Sequence, residues 1–118
     1  MKEKLLKYLQ ILSIELEDIE QDIYDLLELT SEREKRKEIT HYVSLENIAV
    51  LKEEISELER MLGSLEKVDT TQYSSLDELI NDIDKRLREG TVDSGFPPAV
   101  YSMVKRKLYK IKDYICSE

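Results

Sequence analysis

Seven apolar residues recur every three or four positions through the first segment of the chain, and this repeat limits the fold more than any other feature. They are Leu5, Leu9, Leu12, Leu16, Ile19, Ile23 and Leu26. Alternating steps of four and three keep all of them on one side of an α-helix for three heptads. A helix with so long an apolar stripe is expected to pack lengthwise against another helix.

A second repeat of the same kind supplies a partner for the first. It comprises Ile48, Leu51, Ile55, Leu58, Leu62 and Leu65. The stripe from Leu5 to Leu26 spans 21 residues, and the segment from Val43 to Leu65 spans 22. At about 1.5 Å per residue both are roughly 32 Å long. The two segments therefore match as an antiparallel, coiled-coil-like hairpin.

The repeat fails between the two stripes, where the same heptad frame falls on polar residues. Two N-caps are predicted for the second helix: Ser44, or Ser31 in a capping box with Glu34. The second helix then begins near residue 44 or near residue 31. Residues 30–44 are accordingly either a loop or extra turns of helix that protrude beyond the shared core.

Two shorter helices are predicted in the remainder of the chain. Ser75 and Glu78 form a capping box before an apolar face, and Gly90 is placed to end that helix. Pro98 suits the first turn of a last helix that runs to about Ile115.

Together these patterns predict an all-α fold, an antiparallel long-helix hairpin plus two shorter helices in a four-helix-bundle-like arrangement. The chain is predicted to be one domain, with the hairpin in residues 1–69 and the shorter helices in residues 70–118. Three glycines and two prolines in 118 residues are typical of helical bundles. Because the stripes are longer than short helices can cover, we also predict a homodimer.

Charge limits the choice of partners. The net charge of −8 makes nucleic acid an improbable ligand and favours a protein partner with basic character. No apolar run is long enough to span a membrane, and the lysine-rich start is interrupted by polar residues, so we predict an amphipathic helix rather than a signal peptide. The single cysteine, Cys116, cannot form an internal disulfide, and a cytoplasmic location is expected. No cofactor is predicted.

The lone histidine offers the one candidate for catalysis. Arg36-x4-His41 resembles the minimal Arg-x(4 to 6)-His signature of HEPN-type ribonucleases, which are all-helical domains. This resemblance implies RNA cleavage in which His41 moves a proton and Arg36 holds a phosphate.

Two further patterns are similar to metal sites of helical proteins. Glu38-x-x-His41 is half of the motif of di-iron four-helix bundles, which need a second such pair. An acidic set resembles the Mg²⁺ clusters of helical nucleotide pyrophosphohydrolases: Glu17, Glu20, Glu78 and Asp82. Acidic pairs at this spacing are common on solvated helix faces, so no metal site is predicted.

The last helix differs from the first in charge. Residues 1–29 carry three lysines against eight acidic residues, whereas residues 91–118 have a net charge of +2. The basic last helix complements the acidic first one. Its exposed aromatic and basic side chains are the candidate interaction residues: Tyr101, Met103, Lys105, Arg106, Tyr109 and Lys110.

The strongest patterns concern packing, so we predict a non-enzymatic helical interaction protein, such as an adaptor, regulator or assembly subunit. Two alternatives stay open. One is a HEPN-like ribonuclease that uses Arg36 and His41. The other is a small acidic immunity or inhibitor protein that binds a basic partner.

Overall fold

A computed structural model describes residues 2–117 of the chain. It has four α-helices: α1 (Lys2–Lys35), α2 (His41–Glu66), α3 (Leu76–Asp93) and α4 (Pro98–Cys116). A single turn of 3-10 helix, Thr70–Gln72, lies between α2 and α3. The predicted all-α fold, with a long antiparallel hairpin and two shorter helices, is confirmed.

The helices run up, down, up and down, and each packs mainly against two neighbours. The α1–α4 pair is antiparallel, since the Tyr8 hydroxyl donates to the Leu108 carbonyl oxygen at 2.9 Å and Lys107 Nζ lies 3.2 Å from Glu15 Oε2. The α3–α4 pair is also antiparallel, and an ion pair of 2.7 Å joins its far end, between Lys112 and Asp77. Helices α3 and α4 thus form a second layer on one side of the α1–α2 hairpin.

The core lies between these two layers, and all four helices contribute to it. Its largest fully buried side chains are Tyr8, Leu5, Leu12, Leu16, Leu58, Met61, Leu79, Ile80, Ile83, Leu87, Leu108 and Ile115. The predicted apolar faces of α3 and α4 are largely buried here. Burial of this kind contributes about 1.5–3 kcal/mol for each large apolar side chain.

The turn of the hairpin corrects both predicted N-caps. Helix α1 continues through Ser31 to Lys35, and α2 begins directly after Thr40, whose side-chain oxygen accepts from the Val43 amide at 3.2 Å. Ser44 lies within α2 and is buried between the helices. Ser31, Thr40 and Ser44 all have hydroxyl groups that can cap a helix. Thr40 is the N-cap of α2 because Lys37, with a left-handed φ of 62°, reverses the chain just before it.

The end of α3 is the second correction. Gly90 does not end the helix, which continues to Asp93 and is capped by Ser94. Gly95, with φ of 71°, supplies the left-handed position that the sequence had suggested for Gly90. Gly90 instead leaves room for Arg60, whose Nη1 lies 2.0 Å from the place that a Cβ would occupy.

The hairpin is longer than the layer that covers it, which divides the molecule into two regions. In the body, residues 2–23 and 55–117, the hairpin packs on α3 and α4. In the arm, residues 24–54, the start of α4 reaches Val50, Glu53 and Glu54, and the described structure has no second layer beyond them. The molecule measures 55 Å along its longest axis. Leu26, predicted to lie in the buried stripe, belongs to the arm and is 47% exposed.

Candidate functional site

The arm carries an open groove between α1 and α2. The groove has a volume of about 300 Å³, and it is lined by Leu26, Leu29, Thr30, Arg33, Asn47, Val50 and Leu51. Leu29 and Val50 are 44% and 54% exposed, so apolar side chains of the groove face solvent. Such residues are usually covered when they lie in one continuous strip.

The groove continues the line of α4 beyond its first turn. Pro97, Ala99 and Val100, at the start of α4, line a small cavity together with Val50 of α2. Val50 also lines the groove of the arm. The groove therefore has the position of a helix that would extend the second layer.

Acidic residues lie one helical turn from residues of this groove, whose own charged lining residue, Arg33, is paired with Glu38 at 3.5 Å. Asp22 lies four residues before Leu26 in α1, and Glu46 and Glu53 lie four residues before and three residues after Val50 in α2. Residues three or four apart share one side of a helix. All three carboxylates are exposed, so the edge of the groove has negative charge that a basic ligand would neutralise.

The tip of the arm holds the predicted catalytic pair. Arg36 Nη2 lies 3.4 Å from Glu32 Oε2, and His41 Nδ1 is hydrogen-bonded to the Glu34 carboxylate. The side chain of His41 is 75% exposed. Among the described residues no hydrogen bond or ion pair joins Arg36 to His41, and each is paired with a glutamate of α1.

Three acidic residues of the two metal-like patterns, Glu38, Glu78 and Asp82, are engaged in local contacts. Glu38 pairs with Arg33 at 3.5 Å. Glu78 accepts from the Ser74 hydroxyl at 2.6 Å, and Asp82 pairs with Arg86 at 3.0 Å. Within residues 2–117, no group of three or more His, Cys, Asp or Glu side chains is arranged to hold a metal ion.

The predicted interaction residues of α4 lie on different sides of that helix. The Tyr101 and Tyr109 hydroxyls both donate to the Asp84 carboxylate of α3, Tyr109 at 3.4 Å. Lys110 lines a groove toward α1 instead, and Met103, seven residues before it, shares that side. Lys105 and Arg106 are exposed. The six residues therefore span two sides of α4.

Asp84 is a buried carboxylate that the sequence prediction missed. It is 8% exposed, and the two tyrosines that donate to it come from the neighbouring helix. Burial, with the hydrogen bond to Asp84 as the next cause, raises the pKa of Tyr101 to about 12. The spacing Ile80, Asp84, Leu87 places Asp84 on the apolar face of α3 and was the available signal. The cluster joins α3 to α4.

Glu57 is a second buried carboxylate that was not predicted. It is 1% exposed, its Oε1 lies 2.8 Å from the Thr91 hydroxyl, and Arg60 Nη2 lies 3.2 Å from that same hydroxyl. Burial raises the pKa of Glu57, while the hydrogen bond from Thr91 and the charge of Arg60 oppose the rise. This network joins α2 to α3.

A second open groove lies between α1 and α4 in the body. Its volume is about 450 Å³, and it is lined by Ile11, Glu15, Lys107, Lys110, Ile111 and Tyr114. Lys7 Nζ lies 5.8 Å from the centroid of the Tyr114 ring at one end. Like the groove of the arm, this groove is lined by both apolar and charged side chains.

Comparison with known proteins adds no family assignment. No family model, curated protein or solved structure matches the chain. None of the helices within residues 2–117 combines the length and the apolar character needed to cross a membrane. What can be inferred about function therefore rests on the surfaces of the molecule.

Proposed function

We propose that this chain is a non-enzymatic helical interaction protein that binds a helix of a partner protein in the groove of its arm and also self-associates. It would act as an adaptor, a regulator or an assembly subunit, and a cytoplasmic location is part of the proposal. The observation that supports it is the groove itself, a strip of exposed apolar residues in line with α4.

The shape of the groove favours a helix as the ligand. In the body, α3 and α4 fill the space above the hairpin, and Val50 lies at the boundary where that filling stops. An amphipathic helix with apolar residues at every third or fourth position would cover Leu26, Leu29 and Val50 as α4 covers the body.

The charge of the groove edge favours a partner with basic residues beside its apolar stripe. Asp22, Glu46 and Glu53 lie within one helical turn of groove residues. Arg33 of the groove is paired with Glu38, and the whole chain has a net charge of −8. Opposite charge at the edge of an interface speeds association and selects the partner more than it adds affinity. An inhibitor of a basic protein would use the same edge, so the identity of the partner separates that alternative from an adaptor.

The proposal is tested by co-purification from cells of the native host with three versions of the protein. Wild type is compared with Leu29→Lys in the groove and with Val92→Lys, a matched change at an exposed apolar position of α3. We expect a partner that wild type and Val92→Lys retain and that Leu29→Lys loses. Identical sets of bound proteins for all three versions would contradict binding in the groove.

The charge of the partner is tested separately once that partner is identified. The double variant Glu46→Gln/Glu53→Gln removes two charges from the groove edge and leaves the apolar residues in place. We expect slower association and a weaker dependence of binding on salt. Unchanged kinetics at low salt would show that the acidic edge does not select the partner.

A further inference from the structure

Helix α1 carries a second repeat on the side that faces away from α2. Its members follow steps of three and four: Lys4, Lys7, Ile11, Ile14, Asp18 and Gln21. We call these six residues the outer seam. The buried residues Leu12, Leu16 and Ile19 occupy other positions of the heptad. Within the outer seam, Ile11 is partly buried and packs against the edge of the core.

The centre of the outer seam is apolar and partly open to solvent. Ile14 is 56% exposed in the middle of the body, and Ile11 next to it lies in the groove between α1 and α4. Asp18, one turn further, is exposed and makes no hydrogen bond or ion pair with the described residues. Ile14 and Asp18 are therefore accessible to a second chain, whereas Lys7 is half-buried and lies over the Tyr114 ring.

The outer seam is complementary to itself when it is reversed. Lys7 and Asp18 lie at equal distances on either side of the midpoint between Ile11 and Ile14. In an antiparallel pair of α1 helices, Lys7 would therefore face Asp18 of the second copy, and Lys4 would face Gln21 beside Asp22. In a parallel pair, lysine would face lysine and aspartate would face aspartate, which is unfavourable.

We propose that a second copy of this chain docks on the outer seam, with the two α1 helices antiparallel about a two-fold axis between Ile11 and Ile14. This rests on the self-association in the proposed function and specifies its surface and direction. Each chain contributes the same residues, as a two-fold interface requires. The two arms then point in opposite directions, and both arm grooves stay open for the partner protein.

The size of the contact makes the dimer reversible. The outer seam rises about 26 Å from Lys4 to Gln21, and with the edge of α4 beside it the face is about 20 Å wide. Two such faces bury about 1,000 Å² in total, which is at the lower end for specific interfaces. We therefore expect monomer and dimer to exchange as concentration changes.

Charge reversal tests both the surface and its direction. Lys7→Glu places glutamate opposite Asp18 at both ends of the dimer, and Asp18→Lys places lysine opposite Lys7 at both ends. Sedimentation velocity should show each variant as a weaker dimer than wild type, by about tenfold or more in dissociation constant. Lys52→Glu and Glu89→Lys, at exposed positions outside the outer seam, are the matched controls and should dimerise as wild type does.

Mixing the two variants provides the decisive measurement. Lys7→Glu and Asp18→Lys should form a heterodimer with each other at concentrations where each alone is monomeric, because both cross-chain pairs are then opposite in charge. The double variant Lys7→Glu/Asp18→Lys should recover self-association. Circular dichroism checks that each variant retains the helical content and thermal midpoint of wild type. Asp18 is exposed and Lys7 is half-buried over the Tyr114 ring, so the thermal midpoint of Lys7→Glu is the stricter check.

The other outcomes separate this inference from the proposed function. If both single variants dimerise like wild type, or if their mixture stays monomeric, docking on the outer seam is overturned while self-association through another surface stands. A wild-type chain that stays monomeric up to millimolar concentration overturns both the outer-seam dimer and self-association. Binding of a partner in the arm groove is unaffected by either result, since it is measured with Leu29→Lys.

Discussion

The body and the arm are built from the same two long helices, yet they bury their apolar residues to very different extents. Leu12 and Leu16 of α1 are fully buried in the body, whereas Leu26 and Leu29 of the same helix are almost half exposed in the arm. The cause is length. Helix α1 has 34 residues and α4 has 19, so at about 1.5 Å per residue α1 extends roughly 22 Å farther.

The arm is held by close helix contact rather than by a large core. Its buried side chains among the described residues are Thr30 and Ser44, both small and polar, and Thr30 donates to the Leu26 carbonyl oxygen at 2.8 Å. Small side chains let the two helices approach each other but bury little apolar area. A heptad repeat thus determines which helices pair, and the second layer determines how much of the pair is buried.

The largest expected effect is on the free energy of unfolding, when the loss of a core side chain in the body is compared with the loss of an apolar side chain in the arm. Leu108→Ala removes a fully buried side chain and should lower the free energy of unfolding by about 2–5 kcal/mol. Leu29→Ala should lower it by less than about 1 kcal/mol, because the side chain is already 44% in contact with solvent. Urea denaturation of both variants measures the difference, and equal losses would break the distinction between the regions.

A smaller effect is expected on the pH dependence of stability, in which the buried Glu57 of the body should differ from the exposed Glu46 of the arm. Burial raises the pKa of Glu57 above its usual value of 4.5, so the folded state holds this proton more tightly than the unfolded state. Wild type should therefore lose stability as the pH rises from 4.5 through the raised pKa. Glu57→Gln does not titrate, so its stability relative to wild type should rise over that interval and then stay constant.

Chemical denaturation over a pH series checks this trend. Glu46→Gln, at an exposed position of the arm, is the matched control. Its stability relative to wild type should not rise over this interval. A difference between Glu57→Gln and wild type that is independent of pH would show that burial does not shift the titration of this carboxyl group.

Periodic and local patterns in the sequence were sufficient for the helices of the fold. The stripe from Leu5 to Ile23, the cap at Ser75 and the start at Pro98 depend on residues close in sequence, and the structure has all three. The cap at Thr40 was missed because Ser31 and Ser44 offer similar local chemistry. Which of the three hydroxyl residues caps α2 depends on where the chain reverses, and that position is set by the left-handed conformation of Lys37.

The candidate sites were less predictable because they depend on which helices become neighbours. Asp84 is satisfied by tyrosines of α4, and Glu57 by Thr91 of α3, so neither partner follows from spacing within one helix. Leu26 continues the repeat perfectly, but its exposure depends on where α4 begins. Sequence periodicity therefore predicted that the arm residues belong to the core, and it could not show that Ile23 is the last buried apolar residue of α1.

Two glycines of the body, Gly63 and Gly90, differ in whether a side chain could be added without meeting a neighbouring residue. Nothing lies within 4 Å of a Cβ at Gly63, whereas at Gly90 the Arg60 guanidinium occupies that space. Gly63→Ala should raise the free energy of unfolding by about 1 kcal/mol through helix propensity alone. Gly90→Ala should gain less, because Arg60 must leave Thr91 and the Leu87 carbonyl. Thermal unfolding compares them, and equal gains would show that Arg60 moves at no cost.

The smallest expected effect is at the tip of the arm, where a catalytic function would need the most specific geometry. His41→Ala should change the free energy of unfolding by less than about 0.5 kcal/mol, because the side chain is 75% exposed and pairs only with Glu34. For the same reason we expect neither wild type nor His41→Ala to cleave single-stranded RNA. Cleavage by wild type that disappears in both His41→Ala and Arg36→Ala would favour the ribonuclease over the interaction protein. That result would also show that the ligand binds at the tip of the arm and not in the arm groove.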